Sequence, residues 1–397
     1  MASIRLRYFT NPATLRSIEP ARLLQLLGRF RVFFDRIGHS LPPPESSEEI
    51  DYQALAGIFV SPNESMPGEL LDVLFLVDEM SDPTDMETLL FAANKERVVL
   101  DGGDEQSTAD VAVQIWLNKP EVLELQHALK QYKRPKSFEY YQGSRTARDE
   151  FVHPPQDRME TLQGELDDWF ANKRRGRGAK ILVTEDTEEI RFLIRHGRPF
   201  AREASLKNTE VESVCYRPAT YDVVIYDRRL HELRINAALV GEKKLYCKLI
   251  GTYFFSNPDC FPGMNKYDLE QLRNMDSGSL QCFDVEGIES VKLVDIQFQR
   301  GGPHGLTFTV KAGNLLETSQ IFDNPLAVDA DIIKAVFSVK FDDSKSTRSV
   351  TIRSGNKAQY ARDADASLIE QWLELRGFVQ QATCESYEEA DLSMADA

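Results

Sequence analysis

The sequence predicts an α+β protein: an N-terminal all-helical domain followed by a largely antiparallel β-rich region with a few packed helices. Three observations predict it. Apolar residues recur at three- and four-residue spacing through the first third of the chain, the signature of helices with one buried stripe. Beyond about residue 178 the period changes to alternation, as in half-buried strands. At 397 residues the chain also exceeds what one core usually covers, since domains mostly run about 100 to 200 residues.

Taken in order, Pro20 opens a helix through the segment ARLLQLLGRFRVFFDRIG, with Leu23, Leu27, Phe30 and Phe34 on one stripe and Gly38 as its stop. After a loop at Pro42, Pro43 and Pro44, helical patterns return at 51–60, 68–80, 83–97, 108–117 and 120–132, with Pro67, Pro83 and Pro120 where helices should begin. Residues 1–133 therefore form the helical domain, and the polar stretch 134–156 reads as a connection. Met159, Leu162, Leu166, Trp169 and Phe170 line one face of an entry helix. Strands follow at 179–184, 189–195, 199–205, 211–216, 220–226 and 231–237, then a helix from Glu242 to Phe255. These make a β-rich domain over 157–255. A second, over 256–380, holds strands at 288–299, 305–311, 333–341 and 347–353 and a closing helix from Ala366 to Arg376. In it Ala335, Phe337, Val339 and Phe341 point one way and Lys334, Ser338 and Lys340 the other. Residues 381–397 carry few apolar side chains and read as an acidic disordered tail.

Charge is distributed unevenly. The formal net charge is −16, which argues against the uniformly basic coat of a protein that binds nucleic acid over its whole surface. Residues 45–110 hold 17 acids against Lys95 and Arg97, and the tail adds five more, so the rest of the chain is mildly basic. The N-terminal arginines, Arg22 among them, are expected to pair with the acidic segment. No apolar run has the length of a signal peptide or membrane span, and five scattered cysteines without a CxxC pair suit reduced thiols. A cytoplasmic protein is expected, with no membrane partner. No histidine–cysteine or HExxH spacing suggests zinc, and no GxSxG elbow or strand-linked GxGxxG suggests a hydrolase or dinucleotide enzyme.

The densest basic feature is the loop Lys173, Arg174, Arg175, Arg177 and Lys180, interleaved with glycines. Guanidinium forks match phosphate oxygens, and glycine lets a main chain approach a backbone closely. Arg191 and Arg195 share a face of the next strand, and Arg198 and Arg202 come back on the one after, so these nine residues are the candidate nucleic-acid surface. A solvated helix C-terminus would show the same run of cations.

A second candidate is chemical. In YDVVIYDRRLHELRINAA, Asp222 stands on one arm of a hairpin, Glu232 and Arg234 on the other, and a helix follows. This order resembles restriction-like nucleases of the PD-(D/E)xK type over about 30 residues, with arginine where that family has lysine. The resemblance implies a metal-dependent nuclease of degenerate type in a bacterial defence or restriction system; Asp222, Glu232 and Arg234 would be catalytic and the two carboxylates would hold a divalent metal such as magnesium. An ordinary hairpin with a polar outer face fits the same residues. The leading expectation is a non-catalytic binding subunit or adaptor of a larger assembly, with a protein partner and with DNA or RNA at the basic loop. A purely protein–protein scaffold is the third.

Overall fold

A computed structural model of the chain describes residues 5–43, 49–60, 65–103, 106–132, 135–143, 150–207, 210–263, 265–301, 305–318, 326, 328–361 and 365–380. It is α+β, as the sequence predicts. The acidic tail at 381–397 lies outside the described residues. The chain divides into two compact units, 1–133 with 206–210, and 134–205 with 211–397.

The first unit is helical: α1 (Pro12–Arg16), α2 (Pro20–Gly28), α3 (Arg31–Arg36), α4 (Tyr52–Val60), α5 (Gly68–Glu79), α6 (Met86–Lys95), α7 (Thr108–Asn118) and α8 (Pro120–Tyr132). Leu23, Leu27, Phe34, Phe59, Leu74 and Ile115 meet in its core. The single helix expected over 21–38 is instead two. Gly28, a weak helix former, ends α2, and Phe30 leaves helical geometry before α3 begins. The expected pairing of N-terminal arginines with the acidic segment is present at Arg22, which grips Asp110 at 3.0 and 2.8 Å. Asp78, buried, accepts the backbone N–H groups of Arg7, Tyr8 and Phe9, so one acid of that segment anchors the chain's start.

The second unit is built on one sheet. Its strands are β1 (Ser137–Gln142), β2 (Lys180–Glu185), β3 (Glu189–Gly197), β6 (Ala219–Asp227), β7 (Glu232–Asn236), β8 (Ile288–Arg300), β9 (Leu306–Lys311), β10 (Asp331–Phe341), β11 (Arg348–Arg353) and β12 (Lys357–Gln359). They lie in the order β2-β3-β6-β7-β1-β12-β11-β10-β8-β9, and every pairing is antiparallel. β4 (Ala201–Lys207) and β5 (Glu210–Tyr216) form a separate two-stranded ribbon. Two sequence expectations change here. The regions 157–255 and 256–380 share one sheet rather than forming two β-rich domains. The join is β1, which lies inside the stretch read as a connection and pairs with β7 on one side and β12 on the other.

Helices cover the sheet on opposite faces. The helix α9 (Gln156–Asn172) sets Leu162, Leu166 and Phe170, and α10 (Val240–Phe254) sets Tyr246, Ile250 and Phe254, against Phe192, Ile194, Val224, Leu233 and Ile235. After the short α11 (Gln271–Asn274) and α12 (Leu315–Thr318), α13 (Ala366–Leu375) packs Trp372 on Phe337 and Phe378. Cross-strand partners share a face, so the registers connect Phe337 through Val350, Ile352, Ala358 and Phe138 to Tyr140 and Arg234. That face is the reverse of the one α9 and α10 cover. Among the described residues no helix is long and apolar enough to cross a membrane.

Candidate functional site

The basic loop 173–178 follows α9 and turns back to β2. Arg174, Gly176 and Gly178 have φ of 59°, 77° and 100°. At Gly176 the backbone angle favours glycine, and a Cβ would come within 2.7 Å of the Arg217 side chain and push it from its place. Arg217 holds the corner together. Its Nη1 donates to the carbonyls of Arg174 (2.7 Å) and Arg198 (3.0 Å), bringing the loop and the end of β3 to one place. The sequence reading missed this residue because its role is long-range.

The structure separates the nine candidate bases. Arg175 is buried: its guanidinium pairs with Glu242, its Nε donates to the Gly197 carbonyl at 2.9 Å, and it lies over the Phe170 ring. Arg177 pairs with Asp168 at 2.7 Å, and Arg191 with Asp186 and Glu189 at 3.0 and 3.1 Å. Lys173 is exposed beside the Trp169 ring. Arg202 is exposed on β4, whose ribbon also carries Glu203, Glu210 and Glu212. The remaining three, with Arg174, shape the corner. Lys180 stands directly opposite Arg195 across β2 and β3, and Arg198 follows at the strand's end. None of Arg174, Lys180, Arg195 and Arg198 makes an ion pair among the described residues.

Asp222 and Glu232 are not brought together. The hairpin between β6 and β7 turns at 228–231, closed by a 2.9 Å bond from Leu230 N to Asp227 Oδ1 and by His231 at φ 53°. It pairs Asp227 with Glu232 and Ile225 with Arg234. Glu232 and Arg234 therefore share a face with Asp227, while Asp222, in phase with Val224 and Tyr226, is on the other. One divalent ion cannot be shared between them.

Each acid belongs to its own buried group. On the α9/α10 face, Asp222 Oδ2 accepts from Tyr246 Oη at 2.6 Å and meets His196 Nε2 at 3.0 Å. The His196 ring stacks on Phe170 at 4.2 Å. Glu242, at the start of α10, accepts Leu239 N at 2.8 Å with one oxygen and pairs with Arg175 through the other, an acid where the helix leaves N–H groups unpaired. His196, Asp222 and Glu242 offer three ligand atoms within 4.8 Å of one another. Arg175 and the Tyr246 hydroxyl already supply their positive charge and donor, so the set suits a closed polar network better than a metal. Burial, then the neighbouring Asp222 charge, pushes the Tyr246 phenol well above its usual range.

On the reverse face, Glu189, Asp227 and Glu232 stand in a row across β3, β6 and β7. Carboxylates directly opposite one another repel, and two cations offset this. Arg234 reaches Glu189 at 3.0 Å and also pairs with Asp227. Lys266 donates to both Glu232 oxygens at 2.8 Å while lying 4.1 Å over the Tyr140 ring. Neighbouring acids, Glu370 first among them, raise the Arg234 guanidinium's affinity for its proton against the opposing effect of burial. Above this row is a cavity of about 600 Å³, walled on the far side by Ser367, Glu370 and Glu374 of α13. Of these residues the sequence singled out only Glu232 and Arg234.

No protein-family model matches the chain, and no curated protein matches it.

Proposed function

We propose that the protein is a non-catalytic binding subunit that engages the phosphate backbone of a nucleic acid at the corner formed by Arg174, Lys180, Arg195, Arg198 and Arg217. The observation that supports this reading most is Lys180 opposite Arg195. A like-charged cross-strand pair with no acid to relieve it costs stability, and a polyanion would relieve it. Glycine at 176 and 178 lets the loop's main chain come near a phosphate, and Arg217 fixes its shape. The nuclease alternative loses its support at Asp222 and Glu232, whose carboxylates face apart.

The test is fluorescence anisotropy of the full chain with single- and double-stranded DNA and RNA over a salt series. Binding is expected to weaken with salt, and replacing Arg174, Lys180 and Arg198 by glutamate should reduce the slope of log K against log salt by about 1 per lost phosphate contact. Arg175 is left intact because it fastens the fold. Absence of binding to every nucleic acid, or unchanged affinity in the triple variant, would overturn the reading. Binding to protein partners alone, insensitive to those three substitutions, would favour a scaffold.

A further inference from the structure

Large apolar side chains are costly to leave in water, yet single exposed ones are ordinary on protein surfaces. Phe200 differs from these in its setting. It is 63% exposed and follows Arg198 and Pro199 in the short link between β3 and β4, which places it at the basic corner. The Arg217 guanidinium that donates to the Arg174 and Arg198 carbonyls also lies over the Phe200 ring, 5.7 Å from its centre. Arg198 N donates in turn to the Pro218 carbonyl at 2.8 Å, so the chain before Phe200 is tied to both sides of Arg217. Pro199 has a fixed φ and restricts Arg198 as well. The ring is therefore steadied by its own backbone and by a cation on one face, while most of its surface stays open.

An open ring among cations narrows the ligand. Phosphates supply the counter-charge for Arg174, Lys180, Arg195 and Arg198, and the free face of a ring takes a flat partner. In a duplex the bases are already stacked on one another and closed to such a ring. In an unpaired strand each base has a face to offer. The neighbouring ribbon carries Glu203, Glu210 and Glu212, which repel a phosphate chain, so contact is confined to the corner. We propose that this corner selects single-stranded nucleic acid and that Phe200 is its stacking platform, one base lying on the ring while the flanking phosphates meet Arg174, Lys180 and Arg198. Stacking and phosphate contact do not read the sugar, so DNA and RNA present the same chemistry. The inference rests on the corner being a phosphate-binding surface.

Anisotropy of the full chain with an oligothymidine of about 16 nucleotides, the matching oligouridine, and the duplex of the first with oligodeoxyadenosine tests this. Either single strand, or both, should bind more tightly than the duplex. Phe200→Ala should weaken single-strand binding about fivefold or more, the loss of one stacked base. It should leave the slope of log K against log salt unchanged, because stacking releases no counterions. Phe200→Trp should bind at least as well as wild type, whereas Phe200→Leu, apolar but not flat, should behave as the alanine variant. An exposed side chain carries little of the fold, so all three variants should melt with wild type. The inference is overturned, and the phosphate-binding reading is untouched, if the duplex binds as tightly as the strands while remaining sensitive to the glutamate substitutions. The same holds if Phe200→Ala or Phe200→Leu binds as wild type, or if Phe200→Ala lowers the salt slope. If no nucleic acid binds at all, both fall together.

Discussion

Asp222 and Asp227 lie on the same strand, five positions apart, and meet opposite environments. Asp222 is enclosed by His196, Tyr246 and the helices α9 and α10, and His196 meets the Arg175–Glu242 pair at the Gly197 carbonyl. Asp227 joins Glu189 and Glu232 in a row that Arg234 and Lys266 balance only in part, beneath an open cavity. Both groups bury carboxylates beside arginine. In the first, no buried side-chain nitrogen or oxygen lacks a hydrogen bond, and the bonds fasten the loop 173–178 and the start of α10 to the sheet. In the second, Arg234 Nε is buried without an acceptor among the described residues, and a cavity lies beside the row. Burial and charge are alike in the two groups; what differs is how completely the buried atoms are paired.

The sharpest way to break this comparison is to remove one partner from the closed network. Glu242→Ala leaves the Arg175 guanidinium buried without its carboxylate and should destabilise the protein by about 3–5 kcal/mol in chemical denaturation. Replacing the pair together, Arg175→Met with Glu242→Leu, should return stability to within about 1–2 kcal/mol of wild type, the remainder being the lost acid at the start of α10. If the double variant is as unstable as the single one, the network is more than a fastening.

A smaller effect separates two tyrosines. Tyr246 donates to a buried carboxylate, so Tyr246→Phe should cost about 1.5–3 kcal/mol. Tyr267, equally buried, has the neutral Tyr140 phenol beside its hydroxyl rather than a carboxylate, so Tyr267→Phe should cost less, about 1 kcal/mol or under. Equal losses from both would show that the cavity face is as tightly fastened as the other.

Much of the sheet was legible because one buried face writes its period into a strand, as at Ala335, Phe337, Val339 and Phe341. β1 was not. Its sequence SFEYYQ buries Phe138 and Tyr140 on one face but sets Glu139 and Tyr141 on the other, against α10, where Glu139 pairs with Lys243. Its partners lie far along the chain in both directions, and local periodicity carries no trace of them. The error at Asp222 was of another kind. Asp227, Glu232 and a four-residue connection were all in view, and pairing those two acids would already have put Asp222 on the opposite face. Arg175 illustrates a third limit: within a run of exposed bases, nothing local marks the one that turns inward to Glu242. Lys266 and Glu370 reach the cavity from distant elements and could be found only by folding the chain.

The gentlest probe of the comparison is thiol chemistry, which reads closure without a mutation. Cys247 lies on α10 with its side chain in the core of the closed face, and burial pushes its thiol far above the usual range. Thiolate is the reactive species, so at pH 8 this group stays protonated as well as inaccessible. Cys215 is exposed on β5. Brief treatment with iodoacetamide followed by peptide mass spectrometry should modify Cys215 and leave Cys247 intact until the protein is denatured. In Glu242→Ala, if the network is what closes α10 onto the sheet, Cys247 should become reactive under conditions where most of the population is still folded, because local opening then precedes global unfolding. Continued protection of Cys247 in that variant would place the closure in the apolar packing of α9 and α10 instead, and would reduce the Arg175–Glu242 pair to an anchor for the basic loop alone.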